Sequence, residues 1–149
     1  MIRILLFLLF LLFLLCFTSS AFAYDAVSLG KINSGMSKSK IIDVLGEPLS
    51  VTPEGGMVLE KLNYPNYEIY FASDNLISIE TKSKSICTPE KICPGIKTSE
   101  ATLKYGKPSN KEMEGVNYLE FYVNTGLYCW YRMLDRQGFI KTIEIACQP

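Results

Sequence analysis

The sequence predicts an α+β protein built from two tandem helix–helix–three-strand repeats, whose strands form an antiparallel sheet with helices on one face. Three observations lead there: an internal repeat, a Gly-x-Pro stop after each apolar helical stripe, and alternating strands downstream of it. Gly35-Met36-Ser37-Lys38-Ser39-Lys40-Ile41-Ile42-Asp43-Val44-Leu45-Gly46-Glu47-Pro48 aligns without a gap with Gly95-Ile96-Lys97-Thr98-Ser99-Glu100-Ala101-Thr102-Leu103-Lys104-Tyr105-Gly106-Lys107-Pro108. The 60-residue spacing persists at Leu59-Glu60 against Leu119-Glu120 and at Tyr70 against Trp130, then slips to 64 where Ile79-Glu80 meets Ile143-Glu144. A repeat of this length marks a supersecondary unit used twice.

In the first unit Ser37 or Ser39 caps a helix striped by Ile41, Val44 and Leu45. Gly46 takes the left-handed position that ends it, and Pro48 blocks continuation. Thr98 or Ser99, Leu103, Tyr105, Gly106 and Pro108 repeat the pattern. A preceding helix is expected from Ala26 to Asn33, with Thr88 to Ile92 as its counterpart, either a shorter helix or only a turn. Strands are expected near Met57–Tyr64, Tyr67–Ala72 and Leu76–Thr81. In the second unit, alternation from Tyr118 to Val123 sets Leu119, Phe121 and Val123 on one face and Tyr118, Glu120 and Tyr122 on the other. Asn124-Thr125-Gly126 and Arg136-Gln137-Gly138 read as three-residue hairpin loops. Pairing Val123 with Leu127 then places Leu127, Cys129, Tyr131 and Met133 in the core, joined by Ile143 and Ile145 from the return strand.

Residues 1–23 read as a signal peptide. Arg3 precedes an unbroken apolar run from Ile4 to Phe17, and Ala21-Phe22-Ala23 offers a small-x-small cleavage site before Tyr24. An uncleaved anchor is the rival, but the run falls short of the ~20 residues that span a bilayer. Cys16 follows Leu14-Leu15, which does not suit a lipid-attachment site. The expected organisation is 1–23 signal peptide, 24–84 first repeat and 85–149 second repeat. The mature protein is then periplasmic or secreted, not membrane-spanning.

Charge and composition narrow the chemistry. The chain has 15 basic and 15 acidic residues, so removing Arg3 leaves a net charge of −1. No basic run appears, which argues against nucleic acid as a partner. There is no histidine, so the commonest general base and metal ligand are both missing. Neither a metal nor another cofactor is expected. Ser37-Lys38-Ser39-Lys40, Ser73-Asp74-Asn75 and Lys97-Thr98-Ser99 imitate the three motifs of penicillin-recognising serine enzymes. The first and third occupy equivalent helix starts in the two repeats, and the second suits a hairpin turn. The chain is therefore expected not to be an enzyme.

Cys87, Cys93, Cys129 and Cys147 form an even set in an exported chain, which favours two disulfides over a zinc site of this spacing. The local pairing is Cys87–Cys93 with Cys129–Cys147. The expected register leaves Cys129 and Cys147 on a diagonal, and the alternative joins Cys93 to Cys129.

The face of the second-repeat sheet opposite the core presents Tyr118, Tyr122, Tyr128, Trp130 and Arg132, with Tyr70 from the first repeat. A sheet covered by helices on one side leaves its other side for solvent or a partner, and Tyr, Trp and Arg are enriched at binding hot spots. Ordinary cross-strand aromatic pairing is the plainer reading of the same residues.

The Gly-Met-Ser-x-x-x-Ile-x-x-x-Leu-Gly-x-Pro segment followed by strands resembles the SmpA/OmlA family of BamE-like envelope proteins. Two units in tandem look like the β-lactamase inhibitory protein (BLIP-like) architecture. The resemblance implies a non-enzymatic module that binds a protein of the cell envelope, as an inhibitor or an assembly factor. The alternative is a structural or self-associating envelope scaffold without an inhibitory target. Two departures weaken direct transfer: there is no convincing lipid-anchored cysteine, and BamE-like proteins carry one unit.

Overall fold

The computed structural model describes residues 26–56, 58, 60–123 and 128–148. The expected signal peptide, the Asn124-Thr125-Gly126 loop, Leu127, and the ends of two expectations at Met57 and Leu59 lie outside these residues. The chain begins with a small hairpin, β1 (Ser28–Leu29) and β2 (Ile32–Asn33), followed by helix α1 (Lys38–Leu45). Four strands follow: β3 (Ser50–Pro53), β4 (Glu60–Asn63), β5 (Glu68–Ala72) and β6 (Asn75–Thr81). The second half repeats the plan with α2 (Thr98–Tyr105), β7 (Ser109–Met113), β8 (Val116–Phe121), β9 (Cys129–Arg136) and β10 (Phe139–Cys147). The eight long strands make one antiparallel sheet in the order β3-β4-β5-β6-β10-β9-β8-β7.

This corrects the expected α+β fold class. The described chain is mainly β, with two eight-residue helices, and each repeat is one helix followed by four strands rather than two helices followed by three. The architecture implied by the BamE-like and BLIP-like resemblance is not the one formed.

Each error has a physical origin. The supposed first helix is the β1–β2 hairpin, because Gly30 at φ +63° turns the chain in the middle of the stretch. Val27, Leu29 and Ile32 are buried to 2% exposure or less, which stabilises the hairpin by about 1.5–3 kcal/mol per side chain. Its counterpart at Thr88–Ile92 forms the expected alternative, a turn, closed by the Cys87–Cys93 disulfide. Strands β3 and β7 are additional to the expected three per repeat; every residue in them is exposed, so neither carries the apolar alternation that marks a strand.

The helices keep the expected signals. Ser37 caps α1 by accepting from the Lys40 N–H. Gly46 and Gly106, at φ +83° and +85°, end α1 and α2 by donating to Ile42 O and Thr102 O. The start of α2 differs: Lys97 holds the N-cap position without a side-chain bond, because Thr98 donates instead to Asp135 on β9.

Registers differ from expectation in ways that preserve or repair the faces. Phe121 pairs with Tyr131, two positions away from the expected register. A two-residue shift leaves every side chain on its face, since strand side chains alternate with period two. The β9–β10 turn has only two residues, Gln137 and Gly138, both at positive φ, as a tight twisted hairpin requires. An irregularity at Lys141 then brings Cys147 directly opposite Cys129 rather than onto a diagonal, and the two form the second disulfide.

The pairing of β6 with β10 reveals the symmetry. Ile79-Glu80 and Ile143-Glu144 are equivalents, and Glu80 pairs with Glu144. A local two-fold axis therefore passes between these two residues. Glu68 pairs with Glu80 as Arg132 pairs with Glu144, so Glu68 and Arg132 are equivalents, as are the preceding Tyr67 and Tyr131. The expected match of Tyr70 with Trp130 is thereby corrected: Tyr70 corresponds to Leu134.

The core fills one face of the sheet, with Leu62, Ile69, Phe71, Ile79, Phe121, Met133, Ile143 and Ile145 at 1% exposure or less. Helix α2 rests there through Tyr105, whose ring lies 5.8 Å from Phe121 and 5.2 Å from Tyr131. Helix α1 contributes buried Ile41, and Tyr64 donates to the Gly46 carbonyl at its end. The β1–β2 hairpin sits on the same side, over both repeats. Among the described residues no helix is long and apolar enough to cross a membrane.

Candidate functional site

The opposite face of the sheet is organised in rows of cross-strand partners. At the level of the local axis one row crosses all eight strands: Ser50, Asn63, Glu68, Glu80, Glu144, Arg132, Glu120 and Ser109. It carries four carboxylates and one guanidinium. The neighbouring row reads Thr52, Lys61, Tyr70, Ser78, Ala146 and Trp130. On the other side lie Thr142, Leu134, Tyr118 and Lys111.

The expected aromatic residues are thus on one face but not in one patch. Tyr122 stacks on Trp130 with ring centroids 5.6 Å apart, and Arg132 lies 5.8 Å over the Trp130 ring. These three form the cluster. Tyr128 is 80% exposed and continues the same edge, its carbonyl accepting from Gln148 N–H. Tyr70 shares a row with Trp130 but stands three strands away, about 14 Å at the usual strand spacing. Tyr118 belongs to the row beyond Glu120.

Arg132 is held rather than free. Its Nε donates to Glu120 at 3.0 Å and its Nη1 pairs with Glu144 at 3.2 Å. Glu120, only 5% exposed, also accepts from Tyr122 Oη at 2.7 Å. Sequence reading assigned Glu120 only to the outward face and gave it no part in the cluster. Its signal was its place between Tyr118 and Tyr122 on the outward side of an alternating strand.

Electrostatics separates the two glutamates flanking Arg132. Burial acts to raise the Glu120 carboxyl, but Tyr122, Trp130 and Arg132 together outweigh it and hold the group below the ordinary carboxylate range. Burial dominates at Glu144 and pushes its carboxyl up; facing Glu80 adds to the rise and Arg132 opposes it. Tyr122 is raised by donating to Glu120. The Trp130 indole N–H helps to hold Glu120 ionised yet falls short of a formed hydrogen bond. It is the buried side-chain polar atom left without a partner among the described residues.

The first-repeat half of the face is looser. Tyr70 donates to Glu68 at 2.8 Å, and Lys61 lies 5.8 Å from the Tyr70 ring centroid. Among the described residues no group of three or more His, Cys, Asp or Glu side chains is arranged to hold a metal ion.

No family model, no curated protein and no solved structure matches this chain.

Proposed function

We propose that this chain is an exported, non-enzymatic protein-binding module whose open sheet face, around Tyr122, Trp130 and Arg132, docks a protein of the cell envelope. The observation that carries this reading is the Tyr122–Trp130 stack on a sheet face that the helices leave uncovered. Tyr122 is 64% exposed there, while Arg132 is fixed by two carboxylates and so keeps the Trp130 ring in place. A rigid aromatic pair beside an anchored guanidinium is the composition of a binding hot spot, ordered before the partner arrives.

Export to an oxidising compartment is supported by two disulfides, which persist where thiols are not kept reduced. The Arg3–Ala23 segment and its cleavage before Tyr24 make the periplasm, or secretion beyond it, the proposed destination. Within this reading the chain acts as an inhibitor or an assembly factor of the envelope protein that it docks.

The test is affinity recovery from envelope extract with Tyr122→Ala and Trp130→Ala, each verified as folded by its melting curve. Loss of one specific partner band in both variants is the expected result. Equal recovery by folded variants and the parent protein would overturn the assignment of the face.

A further inference from the structure

The two ends of the sheet differ in chemistry. Tyr122, Tyr128 and Trp130 lie at one end, and β9 carries the chain from Trp130 to Arg136 at the other, about 20 Å away. Phe139 opens β10 at that far end and is 41% exposed. Arg136 pairs with it across the β9–β10 hairpin, and Lys97 pairs with it from the other side. Directly opposed residues share a face of a sheet, so both cations flank the ring. Lys141 follows two positions along, at the irregularity in β10.

A depression of about 220 Å³ adjoins Phe139, where β6 has ended and residues 95–98 take over its lane beside β10. Lys84 and Lys141 line it together with Pro94, Ile140 and Phe139. The Lys84 stem lies over Gly95, where an added Cβ would stand 3.2 Å from its Cε. Lys84, Lys97, Arg136 and Lys141 are all exposed, and none is in an ion pair among the described residues. Lys82, beside them, is the exception, paired with Glu80 at 3.3 Å. Asp135 turns instead to α2, where it accepts from Thr98, and Glu100 lies in the first turn of that helix. Four unpaired cations thus gather around one exposed ring.

We infer that this end of the sheet rests on an anionic phospholipid surface, with Phe139 entering between headgroups and Lys84, Lys97, Arg136 and Lys141 meeting their phosphates. An exposed aromatic ring bordered by cations on long apolar stems is the composition of a membrane-surface contact. Three of the four cations are lysines, which protein–protein interfaces deplete and which act as point charges toward a mobile field of phosphates. A second copy of the chain would set these cations against its own, which like charges oppose. The contact leaves Tyr122 and Trp130 at the end away from the lipid. It does not depend on the reading of those residues as a docking face.

The test is co-sedimentation of the purified exported protein with phosphatidylcholine vesicles, with and without about one third phosphatidylserine, at low and high salt. Binding to the anionic vesicles alone, released by salt, is the expected result. Lys84→Gln with Lys141→Gln should weaken it about tenfold or more, as the surface attraction of two lysines requires. Phe139→Ala should weaken it about fivefold. Lys104→Gln with Lys107→Gln, the same loss of charge at the far end of α2, should leave it unchanged. Phe139→Trp adds a second readout: its emission should shift to the blue on anionic vesicles, while that of the parent, whose one tryptophan is Trp130, should not. Equal binding to neutral vesicles, equal losses from the two lysine pairs in folded variants, or a blue shift in the parent would overturn the inference. So would the absence of vesicle binding; saturable binding of the blocked tetrapeptide acetyl-(Glu)4-amide in its place would make the patch a seat for an acidic protein segment. Should a lysine variant unfold, the salt and lipid dependence of the parent and the Phe139→Trp shift decide.

Discussion

Tyr67 and Tyr131 occupy equivalent positions in the two repeats and donate to adjacent carbonyls of one hairpin, Leu29 O at 3.2 Å and Ser28 O at 2.7 Å. Both rings are nearly fully buried, and burial raises both phenols. The β1–β2 hairpin is therefore gripped from both repeats at once and ties the core-side halves together. Tyr67→Phe and Tyr131→Phe should each cost about 0.5–1.5 kcal/mol, the net worth of a hydrogen bond, and more where the abandoned carbonyl stays dry. Urea unfolding of the single and double variants checks this. A double variant that loses much less than the two singles together would show that the hairpin detaches once either grip is lost.

Gly30 gives the sharpest single-site prediction. Its φ is +63°, and an added Cβ would stand 2.2 Å from Tyr67 Oη. Gly30→Ala should lower stability by more than about 2 kcal/mol, combining left-handed backbone strain with the clash. Tyr67→Phe in the same chain removes the clashing oxygen, so the second substitution should cost less there than in the parent protein. Equal cost in both backgrounds would place the strain in the backbone alone.

Glu120 and Glu144 should respond to pH in opposite directions. Glu120 is held below its ordinary value, so its contribution to stability is present above the unfolded pKa and fades as pH falls through the lowered folded one. Glu144 is raised, so its contribution is full below the unfolded pKa and is lost as pH rises through the raised folded one. At neutral pH Glu120→Gln should therefore cost about 1–3 kcal/mol, having removed a partly buried charged partner of Arg132. Glu144→Gln should leave stability unchanged or raise it, since it also removes the charge facing Glu80. Denaturation curves from acid to neutral pH distinguish the two, and equal losses at neutral pH would contradict the assignment.

The disulfides should differ in weight. Cys129–Cys147 spans 18 residues and Cys87–Cys93 spans six. On loop-closure entropy their removal costs about 3 and about 2 kcal/mol respectively. The shorter bridge has a second role, because Cys87 O accepts from Gly30 N–H and so helps to seat the hairpin. Paired alanine substitutions followed by thermal melts measure both. Cys87→Ala with Cys93→Ala should also speed hydrogen exchange at Gly30, while Cys129→Ala with Cys147→Ala should not.

Much of this was legible in the sequence, but unevenly. Strand alternation from Tyr118 to Phe121 and from Cys129 to Met133 fixed which side chains face outward, and a two-residue register error did not disturb it. The helix stops at Gly46 and Gly106 were equally plain. What failed lacked a burial pattern or had a misleading one. Ser50–Pro53 and Ser109–Met113 are exposed edge strands whose few apolar residues, Val51 and Met113, make no alternation. Val27, Leu29 and Ile32 are spaced loosely enough to pass for one helical face, and only Gly30 hints at the turn. The charged row was invisible because it depends on β6 pairing with β10, a contact between residues more than 60 positions apart.

Site-specific photo-crosslinking in the native envelope tests the docking face most directly. A photoreactive residue at Tyr122 is compared with one at Leu103, which is 83% exposed on helix α2, on the covered side of the sheet. Adducts of one defined size with a different protein from Tyr122, and none from Leu103, are the result expected of an aromatic docking face. No adduct from Tyr122, equal adducts from both positions, or an adduct only with a second copy of this chain would contradict it.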